Sequence, residues 1–166
     1  MILVTGAAGK TGQVVVRALL DKGQAVRTLV RNEKQCELMS SLYDTDIVIG
    51  DMSVESVLSN LFEGVRAVYH ICPNMHPDEL SIGQAMISAA KNADLTQFVF
   101  HSVLHPQVEA MPHHWQKMRV EEAIFASGIP FTILQPAAYM QNIMVEWKNI
   151  QQEGIIRVPY SPESKG

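Results

Sequence analysis

Three glycines spaced by three, Gly6, Gly9 and Gly12, follow the apolar triplet Ile2-Leu3-Val4 and open an amphipathic stretch. A strand that ends in a glycine turn and passes at once into a helix is the start of a β-α-β unit. Gly6 allows a tight turn. Gly9 removes a side chain where backbone must approach an anion, and Gly12 lets the helix lie close to the strand.

The rest of the chain repeats this alternation. Apolar runs predict strands at residues 2–4, 25–30, 46–49, 66–71, 97–101 and 131–134. Helical spacing predicts helices at residues 10–22, 33–42, 78–93, 113–127 and 138–152, with another that Ser53 caps and that buries Leu58, Leu61 and Phe62. In the first helix Val14, Val15, Ala18 and Leu19 form the expected buried face, and Gly23 supplies the stop. A short strand is expected at residues 155–158, followed by a polar tail at residues 159–166. Strands this apolar imply burial on both faces, hence a parallel sheet with helices on either side. Right-handed crossovers then predict the doubly wound order 3-2-1-4-5-6, a three-layer α-β-α Rossmann fold spanning residues 1–166 as one domain.

Bulk properties exclude several classes. Of 166 residues, 47% are hydrophobic and 18% charged, as in an ordinary globular domain. The formal charge is -4 and no block of basic residues exists, so neither nucleic acid nor an anionic membrane is an expected partner. No apolar run approaches the ~18 residues of a membrane span. Cys36 and Cys72 form no Cys-x-x-Cys pair, which argues against a zinc site or a disulfide framework and for the cytoplasm. The six histidines show no metal-ligand spacing with carboxylates, so no metal is expected.

The glycine turn points to a bound pyrophosphate. Helix N-terminal amides and the helix dipole would face it, with Ala8, Lys10 and Thr11 beside the three glycines. The turn is not a phosphate loop of the nucleoside-triphosphatase type, because Val4 stands where that motif needs its first glycine. The second strand ends Leu29-Val30-Arg31-Asn32, with Lys34 nearby. An NAD-specific site carries Asp or Glu there, whereas a guanidinium suits a 2′-phosphate. NADP(H) is therefore favoured over NAD(H). Asp51 and Met52 after the third strand, and Ile71-Cys72-Pro73 after the fourth, are expected along the adenine and ribose cleft.

The Gly6-x-x-Gly9-x-x-Gly12 turn, Arg31 and Asp51 are joined by a later run. It comprises Val120-Glu121-Glu122, Ser127-Gly128-Ile129-Pro130-Phe131-Thr132-Ile133-Leu134-Gln135-Pro136 and Tyr139-Met140-Gln141-Asn142. Together they resemble the NmrA-like branch of the atypical short-chain dehydrogenase/reductases, along the whole chain. The resemblance implies NAD(P)(H) binding. It also implies either reduction of a small quinone-like or carbonyl substrate, or a non-catalytic redox sensor that regulates a protein partner; a homodimer is a further possibility. Family members continue into a C-terminal substrate region, which this chain is expected to lack.

The wider superfamily uses Tyr-x-x-x-Lys, in which tyrosine moves a proton and lysine holds the ribose. Here the matching spacing is His113-His114-Trp115-Gln116-Lys117. Lys117 is the expected cofactor contact, and His113 shares its helical face as a candidate proton donor. Ser102, at the end of the fifth strand, is where the superfamily polarises a substrate carbonyl. Pro136 is expected near the nicotinamide.

Overall fold

A computed structural model describes residues 1–73 and 75–156 of the chain. It divides into two compact units, Met1–Gln135 and Pro136–Gly166.

The first unit is built on six strands. They are β1 (Ile2–Val4), β2 (Val26–Val30), β3 (Asp46–Ile49), β4 (Ala67–His70), β5 (Gln97–His101) and β6 (Phe131–Leu134). All pairings are parallel and the order is β3-β2-β1-β4-β5-β6, as the crossover argument requires. Between them lie α1 (Lys10–Asp21), α2 (Glu33–Leu42), α3 (Glu55–Leu61), α4 (Glu79–Asn92) and α5 (Pro112–Ser127).

Alternation along β1 sends Leu3 to one face of the sheet and Val4 to the other. Val4 packs with Val16 of α1, Val26 and Val30 of β2 and Met39 of α2. Leu3 joins the larger core, with Leu58 and Leu61 of α3, Met86 of α4, Phe98 and Phe100 of β5 and Ile124 of α5. Two helices therefore cover one face and three the other, which gives the three-layer sandwich. Helices α4 and α5 approach closely because Gly83 has no side chain. A Cβ there would lie 2.7 Å from Val120 Cγ2.

Several local expectations are corrected. The buried face of α1 is Gly12 and Val16, with Val15, Leu19 and Leu20 packed beside them, whereas Val14 is 68% exposed and Ala18 is also exposed. Both faces fit a helical period, and the close approach of Gly12 to Gly6 and Ala7 selects between them. Ser53 does not cap α3: the N-cap is Val54, and the Ser53 hydroxyl is drawn back to Asp51 Oδ1 at 2.7 Å. The edge strands β3 and β6 are only partly covered, unlike the central four.

The second unit begins at Pro136 and holds a 3₁₀-helix, Met140–Glu146, followed by α6 (Trp147–Glu153). The single helix expected over residues 138–152 is thus wound more tightly in its first half. Ile155 and Ile156 form no strand; the remainder of the strand expected at residues 155–158, and the polar tail, lie outside the described residues.

Candidate functional site

The carboxyl end of β1 runs into the glycine turn. Gly6 has φ +60°, a left-handed conformation, and a Cβ there would sit 2.9 Å from the carbonyl oxygen of Ile71. A Cβ on Gly12 would lie 2.3 Å from Gly6 O and 2.7 Å from Ala7 Cα, so helix α1 lies against the turn itself. Gly9 differs. Its φ is -75°, and an added Cβ would meet only Gly6 O, at 3.2 Å. The Gly9 face of the turn is open, and Gly9, the N-cap of α1, offers no side chain to the first-turn amides. Lys10 beside it is exposed, and Thr11 half-buried. Gln13 Nε2 donates to Ala8 O at 2.9 Å and fixes the turn from the helix side. An anion at this corner would meet amides and a lysine rather than side-chain bulk.

A hydroxyl buckle joins the turn to β4. Thr5 is fully buried. The Ile71 amide donates to Thr5 Oγ1 at 2.9 Å, Thr5 Oγ1 lies 3.1 Å from Ile71 O, and His70 Nδ1 is 2.9 Å away. All three contacts are satisfied together when Thr5 donates to Ile71 O and His70 carries its proton on Nδ1. His70 is fully buried between Phe98 and Phe100, and burial first, then the Lys117 charge, pushes its pKa down to about 3. It is a neutral imidazole in the folded protein.

Arg31, at the end of β2, is exposed. Its amide donates to Gln35 Oε1 at 2.8 Å, and Asn32 caps α2 through the Gln35 amide, so the backbone here is held while the guanidinium has no ion-pair partner among the described residues. Lys34, in the first turn of α2, is exposed too. Asp51 follows β3. The Ser53 hydroxyl and amide hold its carboxyl below the usual range, with the Arg31 charge acting in the same direction and slight burial opposing it. Met52 is buried in the larger core rather than exposed on the rim. Cys72 is also buried, and burial pushes its thiol up to about 12. Ile71 and Pro73 on either side are half-buried.

The three residues expected at the reaction centre lie in different environments. Lys117 is 9% exposed and its ammonium pairs with Glu79 Oε1, 5.5 Å from the centre of the Phe100 ring. Ser102 is 3% exposed and donates to Glu121 Oε1; that carboxylate also accepts from Gln135 Nε2 through both oxygens, at 3.0 and 2.9 Å. The proton with which Ser102 would polarise a carbonyl is therefore engaged. His113 is half-buried, one turn before Lys117, with its ring edge-on to His114 at 4.7 Å. Burial first, then the neighbouring His114 and Lys117 charges, lowers its pKa. Pro136 lies in the second unit.

Glu79, Glu121, His70 and Thr5 were not singled out by the sequence reading. Glu121 appeared only within the run that carries the family resemblance, and Glu79 left a trace only as an acidic residue at the start of a helix, a position ordinary for an exposed carboxylate. Among the described residues no group of three or more His, Cys, Asp or Glu is placed to hold a metal ion, and no helix is long and apolar enough to cross a membrane.

A doubly wound parallel sheet, with a glycine turn where its order reverses at β1, defines a Rossmann-type α/β protein. More narrowly, the chain belongs to the NmrA-like family, which it matches over residues 1–165. An NAD(P)H azoreductase of Xenophilus azovorans is 28% identical over 164 residues, 96% of this chain and 55% of that protein. A photosystem II assembly factor of Cyanophora paradoxa is 29% identical over 154 residues, 88% of this chain and 48% of its own length. Among solved structures, an NADPH-dependent quinone oxidoreductase of Escherichia coli complexed with NADPH superposes with a TM-score of 0.80 at 24% identity, over 93% of this chain and 55% of that one. The chain spans about half the length of the curated relatives it matches.

Proposed function

We propose that this chain binds NADP(H) across the carboxyl ends of β1, β2 and β4, and supplies the cofactor half of a reductase acting on a small quinone-like or carbonyl substrate. The observation that carries this reading is the glycine corner. Gly6 and Gly12 are needed for packing, whereas Gly9 leaves the face toward the helix amides open. A pyrophosphate is the ligand that suits such a corner. The naming of relatives as an NAD(P)H azoreductase and an NADPH-dependent quinone oxidoreductase supports the same choice.

In this reading the amides of the α1 N-terminus, Lys10 and Thr11 hold the pyrophosphate. Arg31 takes the 2′-phosphate, with Lys34 adding charge. Asp51 accepts from the adenine amino group, and the backbone of Ile71 to Pro73 lines the ribose. Lys117 faces the nicotinamide side. The reduced nicotinamide, when bound, supplies a hydride. His113, one turn before Lys117, would pass a proton to the substrate oxygen, and its lowered pKa makes the imidazolium the readier acid.

A second reading, a redox sensor that regulates a protein partner, is favoured by one observation. Ser102 spends its proton on Glu121, so no hydroxyl donor is free at the end of β5. Turnover separates the two readings: oxidation of NADPH with quinones or azo dyes supports the reductase, and a large difference between NADP+ and NADPH affinity without turnover supports the sensor.

Calorimetric titration with NADPH and NADH tests the cofactor. A charge-assisted guanidinium–phosphate contact predicts at least ~10-fold tighter binding of NADPH. Arg31→Asp removes that advantage. Equal affinities in the unsubstituted protein overturn the role given to Arg31.

A further inference from the structure

The Glu79–Lys117 pair is asymmetric in a way that carries information. The Glu79 side chain is 1% exposed and that of Lys117 is 11% exposed, so the carboxylate is the more deeply buried partner. Glu79 opens α4, directly beyond the loop that follows β4, and Lys117 reaches it from α5 across β5, over Phe100. The ammonium thus stands beside Phe100 and His70, near the carboxyl ends of β5 and β4, where the expected cofactor cleft runs. Around it stand His70 and Cys72 from the β4 side, His101 from β5 and His113 from its own helix. Glu79 is its one ion-pair partner among the described residues.

A pair of this kind is a poor device for stability. Glu79 Oε2 is buried with no hydrogen-bond partner. Burial raises the pKa of Glu79, against the pull of Lys117. Two apolar side chains of similar volume generally serve a core as well or better. What the carboxylate does provide is direction. A lysine side chain has many rotamers, and an anchor selects among them before a ligand arrives. An anchor on one ammonium proton leaves two more to donate to a ligand. Groups that fix a ligand-contacting side chain from behind hold it to productive geometry.

We infer that Glu79 is a positioning residue: sealed in the core, it holds the Lys117 ammonium toward the nicotinamide-side ribose of the bound dinucleotide. The inference rests on the cofactor reading above. It concerns only one end of the ligand, so its own failure can be told from failure of that reading.

The test compares two probes. NADPH spans the whole cleft, whereas adenosine 2′,5′-bisphosphate carries the Arg31 end and lacks the nicotinamide ribose. Calorimetric titration is run on the unsubstituted chain, Glu79→Gln, Lys117→Met and the double variant, which has no buried charge left to destabilise it. Loss of one charge-assisted hydrogen bond predicts a rise in the NADPH Kd of about tenfold in Glu79→Gln and in Lys117→Met alike. The double variant binds NADPH no more weakly than Lys117→Met, because Glu79 acts only through that lysine. The bisphosphate Kd stays within about twofold throughout. A Glu79→Gln variant with unchanged NADPH affinity overturns the inference. So does a further loss in the double variant, or an equal loss of bisphosphate binding, either of which marks a general structural role. If the unsubstituted chain takes up neither probe, the cofactor reading and the inference fall together.

Discussion

Gly9 and Gly12 stand three residues apart in one turn, and replacing each with alanine should have opposite consequences. In Gly12→Ala the new methyl would lie 2.3 Å from Gly6 O, 2.7 Å from Ala7 Cα and 2.8 Å from Ala7 O. Ordinary carbon contacts begin near ~3.5 Å, so helix or turn must retreat by about 1 Å. Every neighbour there is backbone, and no rotamer change relieves it. Overpacking of this kind costs about 1–3 kcal/mol, and rigid backbone on both sides places it near the upper end. Alanine returns about 1 kcal/mol through its helix propensity. The net loss expected is about 2 kcal/mol, a fall in Tm of roughly 4–8 °C for a domain of this size. In Gly9→Ala the methyl meets one oxygen at 3.2 Å, and the backbone φ of -75° suits alanine. Loss of the glycine N-cap is the main term, so stability should stay within ~1 kcal/mol. The methyl would nevertheless occupy the face assigned to the pyrophosphate, and NADPH affinity should fall by at least ~100-fold, the loss of two or more charge-assisted amide contacts. Urea unfolding without ligand and calorimetry with NADPH read the two effects separately. A Gly9→Ala variant that binds NADPH normally, or a Gly12→Ala variant as stable as the parent, would refute the division of labour between the two glycines.

Three further outcomes follow from buried groups. Lys117→Met leaves the Glu79 carboxylate without a counter-charge and should cost about 3–5 kcal/mol at neutral pH. Because burial raises the folded-state pKa of Glu79, the deficit should be smallest below its unfolded value of 4.5 and grow as pH rises through the folded one, which urea unfolding at several pH values will show; a deficit independent of pH counts against the pairing. His70 is neutral when folded and takes a proton when unfolded, so stability present above pH 6.5 should be lost toward pH 3 at up to about 1.4 kcal/mol per pH unit. His70→Leu should flatten that slope, leaving the part due to His101 and His113, and an unchanged slope would contradict the buried neutral state. Glu121→Leu strands the buried Ser102 hydroxyl and should destabilise by about 2 kcal/mol, most of which the added Ser102→Ala substitution recovers; a full loss that persists in the double variant would mean that the Gln135 contacts or packing, not the Ser102 bond, account for it.

The element order, the parallel sheet and its strand order were all legible in the chain. They depend on apolar periodicity and crossover handedness, which are properties of contiguous residues. The glycine turn was legible for the same reason: Gly6, Gly9 and Gly12 act on backbone within seven residues of one another. Their different tasks were expected from position, and the approaches to Ile71 O and Gly6 O give each a distance. Periodicity alone misassigned part of the α1 face, because two overlapping stripes satisfied it and the approach of Gly12 to the glycine turn left Val14 outside.

The site residues divide along the same line. Arg31 and Asp51 were placed from strand ends, and they do stand exposed at the ends of β2 and β3. Lys117 was recognised by spacing and Ser102 by its place at the end of a strand, but what their protons do was not. Lys117 is joined to Glu79 across 38 residues, and Ser102 to Glu121 across 19. Local pattern fixed the architecture of this protein and the glycine corner at its centre. Which carboxylates are buried, and which hydroxyl, ammonium and imidazole protons they leave available, was decided by tertiary packing. Desolvation and charge pairing depend on distances between segments, and a linear sequence does not encode those distances at any fixed spacing.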